Sequence, residues 1–289
     1  MMCSESPFLR GSRGWMLERF SERLKKAIRR TGGCLCVGLD IDIAKMPEAL
    51  SRDIPGVRAF CRGIIDSTKD MAAAYKPNLA FFEAMGSEGL AALEEIRRMI
   101  PPECLVIADA KRGDIGNTSK AYAEAFFTRM KVDALTVAPY MGKDSVEPFL
   151  QYEGTCVFVL GLTSNPGSAD FQMLEMKDGG RLFERVIATA AKWGEGAKGE
   201  VGLVVGATKA DMLTDVRKVA PDNVLLIPGV GAQGGDLDAV LKSGKSRDGY
   251  GMVVNASRSI LYASKGVDWK EAARHEAERT VAQMKPFFG

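Results

Sequence analysis

Histidine is almost absent from this chain of 289 residues, and the single one, His275, lies near the C-terminal end in a segment rich in Arg and Glu. The helical spacing of that segment predicts a solvated helix face for His275. A histidine general base, a Ser-His-Asp triad and a histidine-rich metal site are therefore disfavoured. Any acid–base chemistry must then depend on Lys, Asp or Glu.

Long apolar runs and a bias of charge are also lacking. No stretch of about 18 apolar residues occurs, so a membrane span is not expected. Lys and Arg number 39 while Asp and Glu number 37, so bulk charge does not favour nucleic acid as a partner. The apolar stretches within residues 1–30 are too short for a secretory signal.

Cysteine is present, but without the spacing of a zinc or redox site. The chain has six cysteines. Cys34, Cys36, Cys104 and Cys156 fall within apolar runs, and Cys34 and Cys36 lack the two intervening residues of such sites. We therefore expect small, reduced core residues in a protein of the reducing cytoplasm.

Short apolar runs, typical of buried parallel strands, alternate with segments of helical spacing. The runs lie at about 34–39, 72–76, 104–109, 133–138, 155–161, 201–206, 223–228 and 250–255. This alternation predicts an α/β fold with a single (β/α)8 barrel domain over residues 1–289, and an open doubly wound sheet is the structural alternative. The segment from Trp15 to Arg30 predicts an added helix that closes the barrel floor, within an N-terminal helical extension over residues 1–30.

Two loops stand out between the predicted elements. Residues 164–181 form a long connection, and such connections are usually lids or mobile segments. The segment from Gly229 to Gly235 lets backbone N–H groups approach an anion closely, and the guanidinium of Arg258 fits a phosphate. Phosphate sites after strands seven and eight recur in this fold, although a glycine-rich loop alone is equally often a plain turn.

Charged residues of alternating sign follow the first three predicted strands. Residues 109–118 read Asp-Ala-Lys-Arg-Gly-Asp-Ile-Gly-Asn-Thr. Because side chains alternate along a strand, Asp109 and Lys111 are expected on one side, with Asp114 where the chain turns away. Asp40 and Lys76 continue the alternation. A structural ion-pair network is the alternative, but buried ion pairs are weak stabilisers, so function is favoured.

These segments together resemble the orotidine 5′-phosphate decarboxylase family, and its longer bacterial-type subfamily in particular. The resemblance runs from about residue 33 to residue 265. Besides residues 109–118, it is carried by Gly38-Leu39-Asp40, Lys76-Pro77-Asn78, Leu162-Thr163-Ser164-Asn165-Pro166, Gly229-Val230-Gly231-Ala232-Gln233-Gly234-Gly235-Asp236 and Asn255-Ala256-Ser257-Arg258-Ser259-Ile260.

The resemblance implies decarboxylation of orotidine 5′-phosphate to UMP and CO2, the last step of de novo pyrimidine synthesis, with no metal and no organic cofactor. It also implies a homodimer with composite sites. Asp109, Lys111 and Asp114 would be catalytic, with Asp114 and Thr118 delivered into the neighbouring subunit's site. The substrate contacts would be Asp40, Lys76 and Asn78 around the ribose, Ser164 or its neighbour Thr163 at the pyrimidine, and Gln233 and Arg258 at the phosphate.

In the implied mechanism, the ammonium of Lys111 stabilises the negative charge at C6 and then protonates that carbon. Two alternatives stay open. A magnesium-dependent hexulose-phosphate-type aldolase of the same barrel group would carry an acid where this chain has Lys76, and magnesium prefers oxygen ligands. A non-catalytic nucleotide-binding barrel would have no need of the set Asp109, Lys111 and Asp114.

Overall fold

Eight parallel strands close into a barrel, and each pairs with the next one in the chain until β8 pairs with β1. The structure, a computed structural model, describes residues 18–230 and 236–288. The strands are β1 Leu35–Leu39, β2 Ala74–Pro77, β3 Leu105–Arg112, β4 Ala134–Val137, β5 Cys156–Leu162, β6 Glu200–Val205, β7 Leu225–Pro228 and β8 Met252–Ala256. The predicted (β/α)8 barrel is confirmed and the open-sheet alternative is wrong, because pairing of β1 with β8 removes both edges.

Helices connect the strands around the outside of the barrel. The α-helices are α1 Phe20–Thr31, α2 Ile54–Thr68, α3 Leu79–Glu83, α4 Gly86–Met99, α5 Gly116–Ala123, α6 Lys143–Val146, α7 Leu182–Trp193, α8 Leu213–Val219, α9 Leu237–Ser243, α10 Arg258–Leu261 and α11 Trp269–Met284. A π-helix, Glu124–Arg129, continues α5, and 3₁₀ turns lie at Ile43–Lys45, Glu147–Gln151, Pro166–Asp170, Ala207–Met212 and Lys285–Phe287. Of the helices described, none is both long and apolar enough to cross a membrane.

The predicted places of cysteine and histidine agree with the structure. Cys34, Cys36, Cys61, Cys104 and Cys156 are buried thiols without disulfide bonds. Burial raises the pKa of the Cys104 thiol to about 11, which keeps it protonated and unreactive at neutral pH. His275 is exposed on α11.

The helix α1 confirms the predicted floor helix of the barrel. Its residues Phe20, Leu24, Ala27 and Ile28 are buried, at the spacing of one helix face. The ring of Phe20 meets that of Phe158 in β5 edge to face, with ring centroids 5.8 Å apart. Residues 1–17 lie outside the described part of the chain, so the extension over residues 1–30 and the single-domain division stay predictions.

Polar contacts also tie α1 to the N-terminal ends of the strands. The guanidinium of Arg23 lies 2.5 Å from Asp133 Oδ1, just before β4. Glu200, the first residue of β6, accepts hydrogen bonds of 2.7 Å from both the backbone N–H and the hydroxyl of Ser21. These contacts keep α1 at the end opposite the polar C-terminal rim.

Replacing Phe20 with alanine would open a cavity under the barrel. Because the ring is fully buried, we expect the Phe20→Ala change to lower the free energy of unfolding by about 3–5 kcal/mol. Urea unfolding followed by circular dichroism measures this loss. The change Phe171→Ala, at an exposed ring, is the matched control, and equal losses in the two variants would contradict the role given to α1.

Candidate active site

Four charged side chains of alternating sign form a row at the C-terminal ends of β1, β2 and β3. Lys76 Nζ lies 3.8 Å from Asp40 Oδ1 and 2.7 Å from Asp109 Oδ2. Lys111 Nζ lies 2.6 Å from the other oxygen of Asp109. The side chains of Lys76 and Asp109 in the middle of the row are 4% and 11% exposed, whereas Lys111 at its end is 53% exposed. The row therefore ends in an ammonium group that faces solvent at the barrel mouth.

The row holds its inner members in their charged forms. Burial alone would lower the pKa of Lys76, but the carboxylates of Asp109 and Asp40 outweigh burial and raise this pKa. Burial would likewise raise the pKa of Asp109, but attraction by Lys76 and Lys111 and their hydrogen bonds lower it to about 2. Asp109 is thus a carboxylate at any pH at which the protein would work.

A bulge at the end of β3 sets the orientation of Asp109 and Lys111. Ala108 pairs with Leu135, whereas Arg112 pairs with Val137, so residues 108–112 of β3 span the same length as residues 135–137 of β4. Lys111 adopts φ +47°, a left-handed conformation that costs energy in a residue with a Cβ. The prediction that simple strand alternation brings the two side chains together was therefore incomplete, and β3 runs past its predicted end at residue 109.

Thr136 of β4 stabilises this bulge, and the sequence analysis missed it. Its buried hydroxyl accepts hydrogen bonds from the backbone N–H groups of Ala110 (3.0 Å) and Lys111 (2.9 Å). The same hydroxyl donates to Asp109 Oδ1 over 3.1 Å. The only hint in the sequence is a hydroxyl within the otherwise apolar run of residues 134–137.

Strands β1 and β8 approach closely beside the row. A Cβ on Gly38 would collide with Ser257 Oγ and lie 2.9 Å from Asn255 Oδ1. Asn255 is buried and donates from Nδ2 to Ser257 Oγ over 3.1 Å. Asp40 Oδ1 and Asn255 Oδ1 are buried acceptors that receive no hydrogen bond from the described residues. Buried acceptors of this kind suit a ligand that brings hydroxyl donors.

A cavity of about 200 Å³ opens above these strands. Its lining combines the ends of β1, β2, β3, β7 and β8: Asp40, Lys76, Asn78, Asp109, Pro228, Gly229, Val230, Asn255, Ser257 and Arg258. The structure thus brings together five of the residues predicted for the site, Asp40, Lys76, Asn78, Asp109 and Arg258. Lys111 joins them through its contact with Asp109.

The predicted phosphate region lies on the β7 and β8 side of this cavity. Gly229 adopts φ +97°, which lets the chain turn sharply after β7. Arg258 is the first residue of α10, directly beyond β8. Gln233, the other predicted phosphate contact, lies outside the described residues.

Thr163 and Ser164, the two residues directly after β5, differ in the hydrogen bonds of their hydroxyl groups. The Thr163 hydroxyl donates to Asn165 Oδ1 (2.7 Å) and accepts from Gln172 Nε2 (2.9 Å). No hydrogen bond joins the Ser164 hydroxyl to any described residue, and this half-buried hydroxyl lies against Gly206 at the end of β6. The geometry favours Ser164 as the residue with a free hydroxyl, although neither residue lines the cavity.

Asp114 and Thr118 lie apart from the cavity of their own chain. Asp114 is half-buried, and its Oδ1 accepts a hydrogen bond from the backbone N–H of Ile115 (2.8 Å). Its carboxylate forms no ion pair with any of the residues described, Lys111 included. Thr118 is exposed in the first turn of α5. Within one chain Asp114 is therefore not paired with Lys111, and its place in the neighbouring subunit's site stays a prediction.

Lys76 decides how well the cavity suits a divalent metal. Asp40 and Asp109 are the carboxylates in its lining, and the ammonium of Lys76 lies between them. Within residues 18–230 and 236–288, no group of three or more His, Cys, Asp or Glu side chains has the arrangement of a metal site. A cation already joined to both acids makes this pair a poor set of magnesium ligands.

The low pKa of Asp109 predicts how the stability of the fold depends on pH. The folded-state value is about 2, below the ordinary value near 3.9 for an unfolded chain. The ionised carboxylate of Asp109 therefore contributes stability to the fold that is present above about pH 4 and is lost as pH falls towards 2. We expect the difference in free energy of unfolding between the wild type and Asp109→Asn to narrow over this range in urea titrations. A difference for Asp109→Asn that does not change with pH would contradict this account.

The comparisons with known proteins agree with this geometry. The model of the orotidine 5′-phosphate decarboxylase / HUMPS family matches residues 33–274. The orotidine 5′-phosphate decarboxylase of Phocaeicola vulgatus is 47% identical over 267 residues, which cover 91% of this chain and 97% of that protein. Its counterpart in Porphyromonas gingivalis is 48% identical, with 92% and 96% covered.

Solved structures show the same relationship. The OMP decarboxylase of Leishmania donovani is 40% identical and superposes with a TM-score of 0.79, covering 93% of this chain and 99% of that one. The UMP synthase of the same organism is 41% identical with a TM-score of 0.81, and the match covers 92% of this chain and 56% of that one. The chain belongs to the orotidine 5′-phosphate decarboxylase / HUMPS family.

Proposed function

We propose that this protein removes CO2 from orotidine 5′-phosphate and forms UMP. The observation that carries the proposal is the ammonium of Lys111, held 2.6 Å from Asp109 at the barrel mouth. The cavity beside it has Arg258 and Gly229 at one end, which suits a phosphate, and buried acceptors near Asp40, which suit ribose hydroxyls. Relatives that cover nearly the whole chain carry the name of this activity.

The chemistry needs a positive charge where electrons are left behind. When the bond between C6 and the carboxylate breaks, CO2 leaves and the electron pair stays on C6, where the ring delocalises it poorly. The ammonium of Lys111 stabilises this pair as it forms. A proton then moves from Nζ to C6 to give UMP, and the neutral amine takes a proton from water.

The charged row holds the ammonium of Lys111 in position before the substrate binds. One oxygen of Asp109 accepts from Lys111 Nζ and from Thr136 Oγ1, and the other accepts from Lys76 Nζ. These bonds fix Asp109, so little reorganisation is needed when charge develops on the substrate. Binding of the distant phosphate adds energy for the chemical step when loops close over the site.

We further propose a homodimer in which Asp114 and Thr118 complete the partner's site. The proposal is supported by the lack of an ion pair between Asp114 and the residues described in its own chain. Exposed apolar side chains lie nearby, since Ile115 is the next residue and Met141 packs close to Gly113, where a Cβ would lie 3.7 Å from Met141 Cε. A two-fold axis through this surface would use each Asp114 in the other subunit's site.

The metal-dependent aldolase is the weaker alternative because Lys76 lies between the two carboxylates of the cavity. A magnesium enzyme would lose turnover in EDTA, whereas the proposed decarboxylase would keep it. The non-catalytic barrel is weaker too, because it gives no reason for the strained conformation of Lys111.

The remaining expectations concern the surroundings of the enzyme. The near balance of charge, with a formal net charge of +2, does not favour nucleic acid as a partner. The buried thiols that remain unpaired, such as Cys61, suit a reducing compartment. We propose a cytoplasmic enzyme whose partners are its small-molecule substrate and a second copy of the chain.

Removal of the Lys111 ammonium tests the proposed chemistry directly. We expect Lys111→Ala to lower kcat by at least about 1,000-fold, because charge stabilisation and proton transfer are lost together. The fall in ultraviolet absorbance as orotidine 5′-phosphate is consumed measures turnover. Lys218→Ala, at an exposed lysine on α8, is the control. Near-normal kcat in folded Lys111→Ala protein would remove Lys111 from this role.

Mixed dimers test the sharing of Asp114. Lys111→Ala and Asp114→Ala homodimers should both be inactive, but a mixed dimer has one site with an intact Lys111 and the partner's intact Asp114. Random reassembly of equal amounts should therefore restore about a quarter of wild-type activity, measured after joint refolding. Mixing Lys111→Ala with Asp109→Ala is the control, because both changes damage their own subunit's site. Equal recovery in the two mixtures, or none in either, would contradict the shared site.

A further inference from the structure

The side chain of Gln172 holds the end of β5 through two hydrogen bonds to one residue. Its Oε1 accepts from the backbone N–H of Thr163 over 2.8 Å, and its Nε2 donates to Thr163 Oγ1 over 2.9 Å. A backbone N–H can only donate, so the orientation of the amide is fixed by its partners. The two residues are nine positions apart, and the amide closes residues 163–172 into a loop.

The backbone of Gln172 is anchored as well. Its N–H donates to the carbonyl of Ser168 over 2.9 Å, within the turn Pro166–Asp170. Its carbonyl accepts from the N–H of Phe183, the second residue of α7, over 3.0 Å. Gln172 therefore joins the start of α7 to the end of β5, and the first part of the connection 164–181 is more ordered than the sequence predicted.

These contacts determine where the next residue, Ser164, can point. On one side of Ser164, the Thr163 hydroxyl is already hydrogen-bonded to Gln172 and Asn165. On the other side Ser164 lies against Gly206, where a Cβ would collide with its Oγ and come within 2.8 Å of its backbone N. The Ser164 hydroxyl is thus confined between β5 and β6 while it makes no hydrogen bond of its own with the described residues.

We propose that Gln172 is a positioning residue that fixes the direction of the Ser164 hydroxyl for the substrate. The proposal rests on the proposed function and on the contact of Ser164 with the pyrimidine that the family resemblance implies. Without the Gln172 amide, the N–H and the hydroxyl of Thr163 would lose partners, and the loop would relax. A hydroxyl that samples several orientations loses entropy when it binds the transition state. It therefore contributes less to that binding than a hydroxyl that is already oriented.

A double-mutant cycle tests whether Gln172 acts through Ser164. We expect Ser164→Ala to lower kcat/KM by about tenfold, as the loss of one hydrogen bond would, and Gln172→Ala to lower it by a similar or smaller factor. The double variant should be no worse than Ser164→Ala alone, because there is no hydroxyl left to orient. Gln283→Ala, at an exposed position of α11, should leave kcat/KM unchanged.

The variant Gln172→Glu separates positioning from general damage to the loop. One carboxylate oxygen can accept the Thr163 N–H, and the other can accept the hydroxyl proton that Thr163 otherwise donates to Asn165. A turn of the Asn165 amide, so that its Nδ2 donates to the same hydroxyl, keeps these groups bonded, and kcat/KM should stay close to that of the wild type. This variant also keeps the cycle informative if Gln172→Ala folds poorly, which thermal unfolding would reveal.

The possible outcomes are distinct. Losses that multiply in the double variant, or a Gln172→Ala enzyme with wild-type kcat/KM, would overturn the role of Gln172 while leaving the decarboxylase intact. A fall in kcat/KM of Gln172→Glu equal to that of Gln172→Ala would overturn it as well. A folded wild type that does not consume orotidine 5′-phosphate would overturn the proposed function, and the inference with it.

Discussion

The carboxylate of Asp109 is the group on which the geometry of the site depends. It accepts hydrogen bonds from two ammonium groups and one hydroxyl, those of Lys76, Lys111 and Thr136. Burying a carboxylate is costly unless such partners compensate for the lost water. The barrel supplies these partners from β2, β3 and β4, and the compensated charge in turn fixes the position of the exposed Lys111.

The two ends of the barrel serve different purposes. At the floor, the aromatic contact of Phe20 with Phe158 and the ion pair of Arg23 with Asp133 close the core. At the mouth, the strained backbone of Lys111 and the orphan acceptors of Asp40 and Asn255 cost stability. A well-packed floor offsets these costs, which is the expected division in a fold whose chemistry is confined to one rim.

The sequence predicted the barrel and the charged row because both depend on local patterns. Buried parallel strands are continuous apolar runs, and residues at their C-terminal ends must meet at one rim. The bulge at Lys111 could not be predicted in this way, because it depends on a hydrogen bond that the Lys111 backbone N–H donates to the hydroxyl of Thr136, which is 25 residues away. The hydrogen bonds of Gln172 with Thr163 could not be predicted for a related reason. A glutamine in a long loop has no sequence periodicity that indicates its partner.

The position of Asp114 shows a further limit, because its partner is expected on a second copy of the chain, which the fold of one subunit does not contain. The glycines show the opposite case, in which a missing side chain has a clear purpose. Gly38 leaves room for Asn255 and Ser257, and Gly206 leaves room for Ser164. At both places a polar group from the neighbouring strand occupies the space that a Cβ would fill. Polar atoms thus lie close together at the barrel mouth because the neighbouring strands carry glycine beside them. An alanine at Gly38 or Gly206 would displace those polar atoms without changing any charge.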